Sequence, residues 1–324
     1  MTLLTILEHD RGAWSNANDE ALTAGRSLAA AMGADLHAVL IGEGAASLSA
    51  QAGAGGAVVT HIISHPMLID FGPEAYGESV VQLINTAAPT AVMAIGTSRG
   101  NEVLAQVAAR MDLPFVANCL EVAPGADAWT MTRVQWGGSL LEDAALEAEV
   151  KLVSYGHHAV IAEEPASPGT GEVADFTSDL DPELARTIVV ERDIQTAGVT
   201  LSTASVVVSG GRGVGSAEGF ASLEELAELL GGRVGCSRAV TNLGWRNHTD
   251  QVGQTGTRIA PEIYIATGIS GAIQHWVGAM ASKRILAINT DPEANMVVKA
   301  DYPVIADLHE VVPAIAAEIK RRRG

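Results

Sequence analysis

Four short phrases in the last third of the chain, Gln251-Val252-Gly253-Gln254-Thr255-Gly256, Gly268-Ile269-Ser270-Gly271-Ala272-Ile273-Gln274-His275, Ile288-Asn289-Thr290-Asp291 and Ala306-Asp307-Leu308, and two that precede them, Ser209-Gly210-Gly211-Arg212-Gly213 and Cys236-Ser237-Arg238, hold the residues best suited to chemistry. Glycine at the carboxyl end of a parallel strand lets backbone approach a ligand closely, and a following helix start offers free amides to an anion. Ser270 reads as the cap of such a helix, with the amides of Gly271 and Ala272 directed at a phosphate. Arg212 carries the bidentate donors that suit a pyrophosphate, although a solvated loop arginine has the same sequence signature. The phrase Ser209 to Gly213 misses the GxGxxG spacing, so it supports a dinucleotide fold only weakly. Gln274 and His275 are polar residues within an otherwise apolar helix that continues through Trp276 and Val277. A lone histidine on such a face is more often structural than a ligand contact. No set of residues reads as a general acid, a nucleophile or a metal site. Cys119 and Cys236 lack CxxC spacing and His or Cys neighbours, which leaves them as free thiols.

The elements that must carry these phrases follow an α/β rhythm. A strand near Leu3 to Glu8, a helix near Ala17 to Met32 and a strand near Leu36 to Ile41 begin it. A helix near Tyr76 to Thr86, a strand from Ala91 to Gly96, a helix from Asn101 to Arg110 and a strand near Phe115 to Val122 continue it. Then Thr130 to Trp136, Leu146 to Val153 and His158 to Ala162 read as strands without helices between them, an antiparallel addition to a mostly parallel sheet. The Pro/Gly/Ser-rich stretch Glu163 to Glu172 has linker chemistry, and a short strand is expected at Thr187 to Glu191. A second α/β rhythm comprises a strand Ala204 to Ser209, a helix Leu223 to Leu230, a strand Ile263 to Ala266, a helix from Gly271, a strand Arg284 to Asn289 and a last helix from Asp307 toward Lys320. The basic end of that helix, Lys320 to Arg323, complements the helix macrodipole. The fold class is therefore α/β, with two α/β domains.

Of the net charge of −18, residues 1 to 193 carry all: 8 Lys or Arg against 26 Asp or Glu, while residues 194 to 324 hold 12 against 12. Such an acidic surface repels nucleic acid and anionic membranes, whereas the neutral second half accepts a dianionic dinucleotide without opposing it. For most of the acids, solubility alone is sufficient reason. The start lacks a signal-peptide pattern and no stretch reaches the length of a membrane span, so a soluble cytoplasmic protein is expected.

Taken in order, the six phrases resemble the FAD-binding domain of the alpha subunit of electron transfer flavoprotein, most closely over residues 204 to 313. The first half matches that family only in general plan, with Glu8-His9 after the first strand and Gly96-Thr97-Ser98-Arg99-Gly100 after a later one, a turn able to receive a phosphate in related folds. The resemblance implies FAD as the cofactor. It implies that Ser237 contacts the cofactor, that Arg238 lies over the flavin ring, and that Val252, Gly253, Gln254 and Thr255 lie along it, with Thr255 hydrogen-bonded to N5. By the same match Ser270, Gly271, Ala272, Ile273, Gln274 and His275 bind the cofactor, and Asn289, Asp307 and Leu308 meet its adenosine portion. Thr290, Thr267 and Asn295-Met296 depart from the family pattern without removing a contacting residue.

It further implies an N-terminal domain, residues 1 to 193, that serves as scaffold and beta-subunit interface, and a C-terminal FAD-binding domain, residues 194 to 324. The expected partner is the electron transfer flavoprotein beta subunit carrying AMP, in a heterodimer. Electrons would come from flavoprotein dehydrogenases such as the acyl-CoA dehydrogenases of fatty acid beta-oxidation and pass to a membrane quinone oxidoreductase. An electron-bifurcating variant and a nucleotide-binding sensor are the alternatives. An NAD-linked dehydrogenase lacks its fingerprint and catalytic residues here.

Overall fold

The computed structural model describes residues 1–136, 140–191 and 199–323, and the chain divides into two compact units. The expected domain boundary near residue 193 lies outside the described residues.

The first unit runs β1 (Thr2–Ile6), a small hairpin of β2 (His9–Asp10) and β3 (Ala13–Trp14), α1 (Ala17–Met32), β4 (Asp35–Ile41), α2 (Ser49–Ala54), β5 (Val59–Ser64), α3 (Pro73–Ala87), β6 (Ala91–Gly96), α4 (Ser98–Met111), β7 (Phe115–Ala123), β8 (Trp129–Gln135), β9 (Leu140–Leu146), β10 (Lys151–Gly156) and β11 (Glu172–Thr177). Nine strands form one sheet in the order β11-β5-β4-β1-β6-β10-β7-β8-β9. All neighbours are parallel except β7–β8 and β8–β9, which form the antiparallel addition. Leu3 and Leu4 of β1 are both fully buried and belong to opposite faces of the sheet, Leu3 packing with the α1 core and Leu4 with the α3 and α4 core. Burial on both faces is why central parallel strands read as continuous apolar runs.

Several expected strands are corrected. The run Leu146 to Val153 is split: Leu146 ends β9, and Lys151–Gly156 turns back as β10 between β6 and β7. His158 to Ala162 is a turn and coil, entered through His158 at φ 65°, a left-handed value that ends the strand. Thr187 to Glu191 is irregular and exposed despite four consecutive β-branched residues, Thr187 to Val190, because it pairs with no strand among the described residues. The Pro/Gly stretch before Glu172 leads into β11, an edge strand of the same sheet paired to β5, so it is a loop of this unit.

The second unit comprises β12 (Val206–Gly210), α5 (Ala221–Leu229), β13 (Arg233–Cys236), α6 (Arg238–Asn242), β14 (Ile263–Thr267), α7 (Ile273–Ala279), β15 (Ile285–Asn289), α8 (Asn295–Val298), β16 (Tyr302–Ile305) and α9 (Leu308–Arg323). Its five-stranded sheet is parallel throughout, in the order β13-β12-β14-β15-β16. The chain order therefore reverses between β12 and β14, and the crevice at the carboxyl ends of those strands is where such sheets take ligands. β16 lies at an edge, which tolerates Pro303 in a strand. No helix among the described residues is long and apolar enough to cross a membrane.

Candidate functional site

A cavity of ≈ 560 Å³ opens at this reversal point, walled by the loops that follow β12, β13, β14 and β15. Two loops are zipped together at its floor: the Gly211 amide donates to Thr267 O at 2.8 Å and the Gly213 amide to Gly268 O at 3.2 Å. A Cβ on Gly211 would stand 2.1 Å from Gly268 O, so glycine there is a condition of the two backbones meeting. Arg212, on the turn after β12, and Arg238, the first residue of α6, are both exposed and line the cavity. Neither has an ion-pair partner among the described residues. Ser237 stands at the cap position of α6, yet its hydroxyl makes no capping bond, and the residue lines the cavity.

The loop after β14 departs from the expected helix cap. Helix α7 begins at Ile273, preceded by Ala272 in cap position, so neither Gly271 nor Ser270 starts it. Gly271, at φ 77°, breaks the backbone away from helical geometry, and Met296 N donates to Ser270 O at 3.2 Å to hold the loop out. The amides of Ser270, Gly271 and Ala272 donate to no acceptor among the described residues, and all three residues line the cavity. Asn289 closes the far side: its side-chain amide donates to Ile269 O at 3.1 Å while its oxygen accepts from Asp291 N at 3.1 Å.

His275 lines the same cavity with Nε2 2.7 Å from the Tyr264 hydroxyl. Burial pushes its pKa down to about 4, so the ring is neutral at physiological pH. Gln274 lines the cavity with its side chain exposed, and its carbonyl accepts from Gln254 N at 2.7 Å.

The structure thus brings together Arg212, Ser237, Arg238, Ser270, Gly271, Ala272, Gln274, His275 and Asn289. The other candidates stand off the cavity wall. Val252 and Gly253 are buried where the 251–256 loop is welded to α7, and Gly278 must lack a side chain because a Cβ would fall 2.3 Å from Gly253 Cα. Gln254 and Thr255 are exposed, and Gln251 bridges Thr255 Oγ1 and Thr241 Oγ1 at 3.0 and 2.9 Å. Ile273 projects outward at 52% exposure. Asp307 caps α9, accepting from His309 N at 2.9 Å, and Leu308 is buried in the core beside Gly268. Sequence reasoning passed over Asn242 and Asp291 as lining residues. Asn242 lies four residues after Arg238, one helical turn along the same face, which is the signal that could have found it.

The corresponding reversal point of the first sheet is occupied by its own side chains. Thr97 caps α4 and also hydrogen-bonds Glu8, Arg99 donates to His9 O at 3.3 Å, and its guanidinium lies 5.2 Å from the Phe71 ring centroid. The pocket that Glu8, Arg99 and Gly100 line there is small, ≈ 20 Å³, about one water. Burial raises the Glu8 pKa, against the lowering effect of Thr97 and Arg99.

Comparison with known proteins agrees with this division. Residues 3–181 match the family described as electron transfer flavoprotein domain, and residues 200–280 match the electron transfer flavoprotein FAD-binding domain. An electron transfer flavoprotein subunit alpha of Bradyrhizobium diazoefficiens is 37% identical over 98% of this chain and 98% of its own length. One from Thermoanaerobacterium thermosaccharolyticum is 33% identical over 97% of this chain and 96% of its own. Protein FixB of Azorhizobium caulinodans is 32% identical over 98% and 88%. With half the chain matched by one family domain and relatives aligned along nearly all of it, this protein belongs to the electron transfer flavoprotein alpha-subunit family.

Proposed function

We propose that the chain binds one FAD in the cavity of the second unit and, in a 1:1 complex with a beta-type subunit holding AMP, carries electrons from flavoprotein dehydrogenases such as acyl-CoA dehydrogenases to a membrane quinone oxidoreductase. The observation that carries this reading is the row of amides, Ser270 to Ala272, that donate to no acceptor among the described residues, in the same cavity as two arginines without an ion-pair partner among them. Three successive amides that donate to no protein acceptor among the described residues, on a loop that lines one cavity, fit an anionic ligand. Cavity volume fits as well, since ligand sites commonly fall between about 300 and 1,000 Å³.

The roles follow from the chemistry of each side chain. The three amides and the Arg212 guanidinium suit the pyrophosphate, because both are fixed donors that need no desolvated counter-charge. Arg238 sets a positive charge at the mouth, and His275, neutral, offers a hydrogen bond without adding another. Ser237 and Ser270 contribute hydroxyls, and Asn289 orients the wall on the adenosine side. Ile269 and Ala294 exclude water from the floor. A bound flavin supplies reversible one- and two-electron transfer. That the curated relatives are named as alpha subunits supports a heterodimer.

The test is co-expression with a beta-type subunit, followed by absorption and mass spectrometry of the released chromophore. One FAD per complex, lost more readily from Arg212→Gln, is expected. FMN, no flavin, or retention indifferent to Arg212→Gln and Ser270→Ala overturns the assignment.

A further inference from the structure

Glu20 in the first turn of α1 is 92% buried, counted from its 8% exposure, and no lysine or arginine pairs with it among the described residues. Two histidines meet it instead. His158 Nδ1 lies 3.1 Å and His157 Nε2 3.9 Å from the same oxygen, Glu20 Oε1, and the three donor atoms all fall within 4.8 Å of one another. The imidazoles are stacked, with centroids 3.7 Å apart and planes inclined by 25°. The second carboxylate oxygen accepts from the His158 amide at 2.8 Å, which holds that residue at φ 65°.

Two imidazole nitrogens and one carboxylate oxygen form the donor set that borderline divalent ions prefer, whereas calcium and magnesium prefer oxygen alone. Tetrahedral zinc with bonds of about 2.0–2.1 Å needs donors separated by about 3.3 Å, and the two distances to Glu20 Oε1 bracket that value. The excess of acid over base in residues 1 to 193 favours a cation on this unit.

We propose that Glu20, His157 and His158 form a binding site for one zinc-like divalent cation, with water as the fourth ligand, fastening the turn after β10 to α1. The sequence reading of no metal site missed it because Glu20 and His158 are 138 residues apart.

Zinc titration of the tag-free, chelator-stripped full chain by calorimetry, with cobalt absorption as a spectroscopic readout, tests the proposal. Expected is one saturable site at micromolar zinc. His157→Gln, a rim substitution that leaves the His158–Glu20 bond, should weaken it by more than the roughly 10- to 100-fold that losing an outer partner costs, and should abolish the tetrahedral cobalt bands. His37 and His61 form the chain's other close histidine pair, with ring nitrogens 3.0 Å apart, and His61→Gln should leave zinc binding unchanged. No saturable binding at micromolar zinc, or binding that survives His157→Gln or is lost with His61→Gln, overturns the proposal and leaves the cluster as a histidine–carboxylate ion pair.

Discussion

Acidification from pH 7 to pH 5 should destabilise the unit that holds His275, and the size of the effect follows from its burial. The imidazole is 7% exposed, and its pKa falls from 6.5 to about 4 because water is excluded from the charged form. Above pH 6.5 the ring is neutral folded and unfolded, so it contributes no pH dependence. As the pH drops through 6.5 the unfolded chain takes up a proton that the folded chain refuses, and stability falls until the folded value near 4 is reached. At pH 5 the loss from this residue alone is about 2 kcal/mol, and the full loss below pH 4 is about 3 kcal/mol. Urea unfolding of wild type and His275→Gln at pH 7, 6 and 5 isolates the term. The other histidines with lowered pKa values, His9, His37 and His61, are common to both proteins and cancel. Wild type should lose about 2 kcal/mol more than the variant between pH 7 and 5. Parallel pH dependences would show that solvent reaches the ring in the folded state, and would remove the reason for treating His275 as a neutral hydrogen-bonding wall of the cavity.

Gly271→Ala places a Cβ 2.4 Å from Met296 N at a φ of 77°, so it should lower stability by more than about 1 kcal/mol and release flavin, measurable by thermal unfolding and ultrafiltration. Unchanged values would mean the loop has another conformation. Arg238→Ala should lower the potential for adding the first electron to bound flavin, by roughly 59 mV for each 1.4 kcal/mol of lost charge stabilisation, whereas an unmoved midpoint in a dye-linked titration would place the guanidinium away from the ring. Ser270→Ala should weaken flavin retention by about 0.5–1.5 kcal/mol, and Thr255→Ala should change it less because Thr255 stands off the cavity and bonds Gln251. Flavin dissociation rates decide between them, and a reversed order would contradict the placement.

Features encoded within a few residues were legible in the chain. Helix α1 and strand β6 were bounded at Ala17–Met32 and Ala91–Gly96 because amphipathic period and unbroken apolar runs are local properties. The family resemblance likewise rested on contiguous phrases, five of which lie at strand ends, while Gln251 to Gly256 is a loop between α6 and β14. Strand β5 was missed because Thr60 and His61 interrupt its apolar run, although both lie in the sheet between β4 and β11. Thr187 to Glu191 has the local chemistry of a strand but pairs with none among the described residues, and pairing is a tertiary fact. The start of α7 shifted past Ser270 because Met296, from α8, captures the Ser270 carbonyl. Convergence was beyond the sequence altogether. Which strand ends share one crevice, why Thr255 stands off it while Asn242 lines it, and how Glu20 meets two histidines on a distant turn depend on strand order and burial. Propensity acts over single turns of backbone, whereas those juxtapositions arise only when residues far apart in the chain bury the same apolar surface.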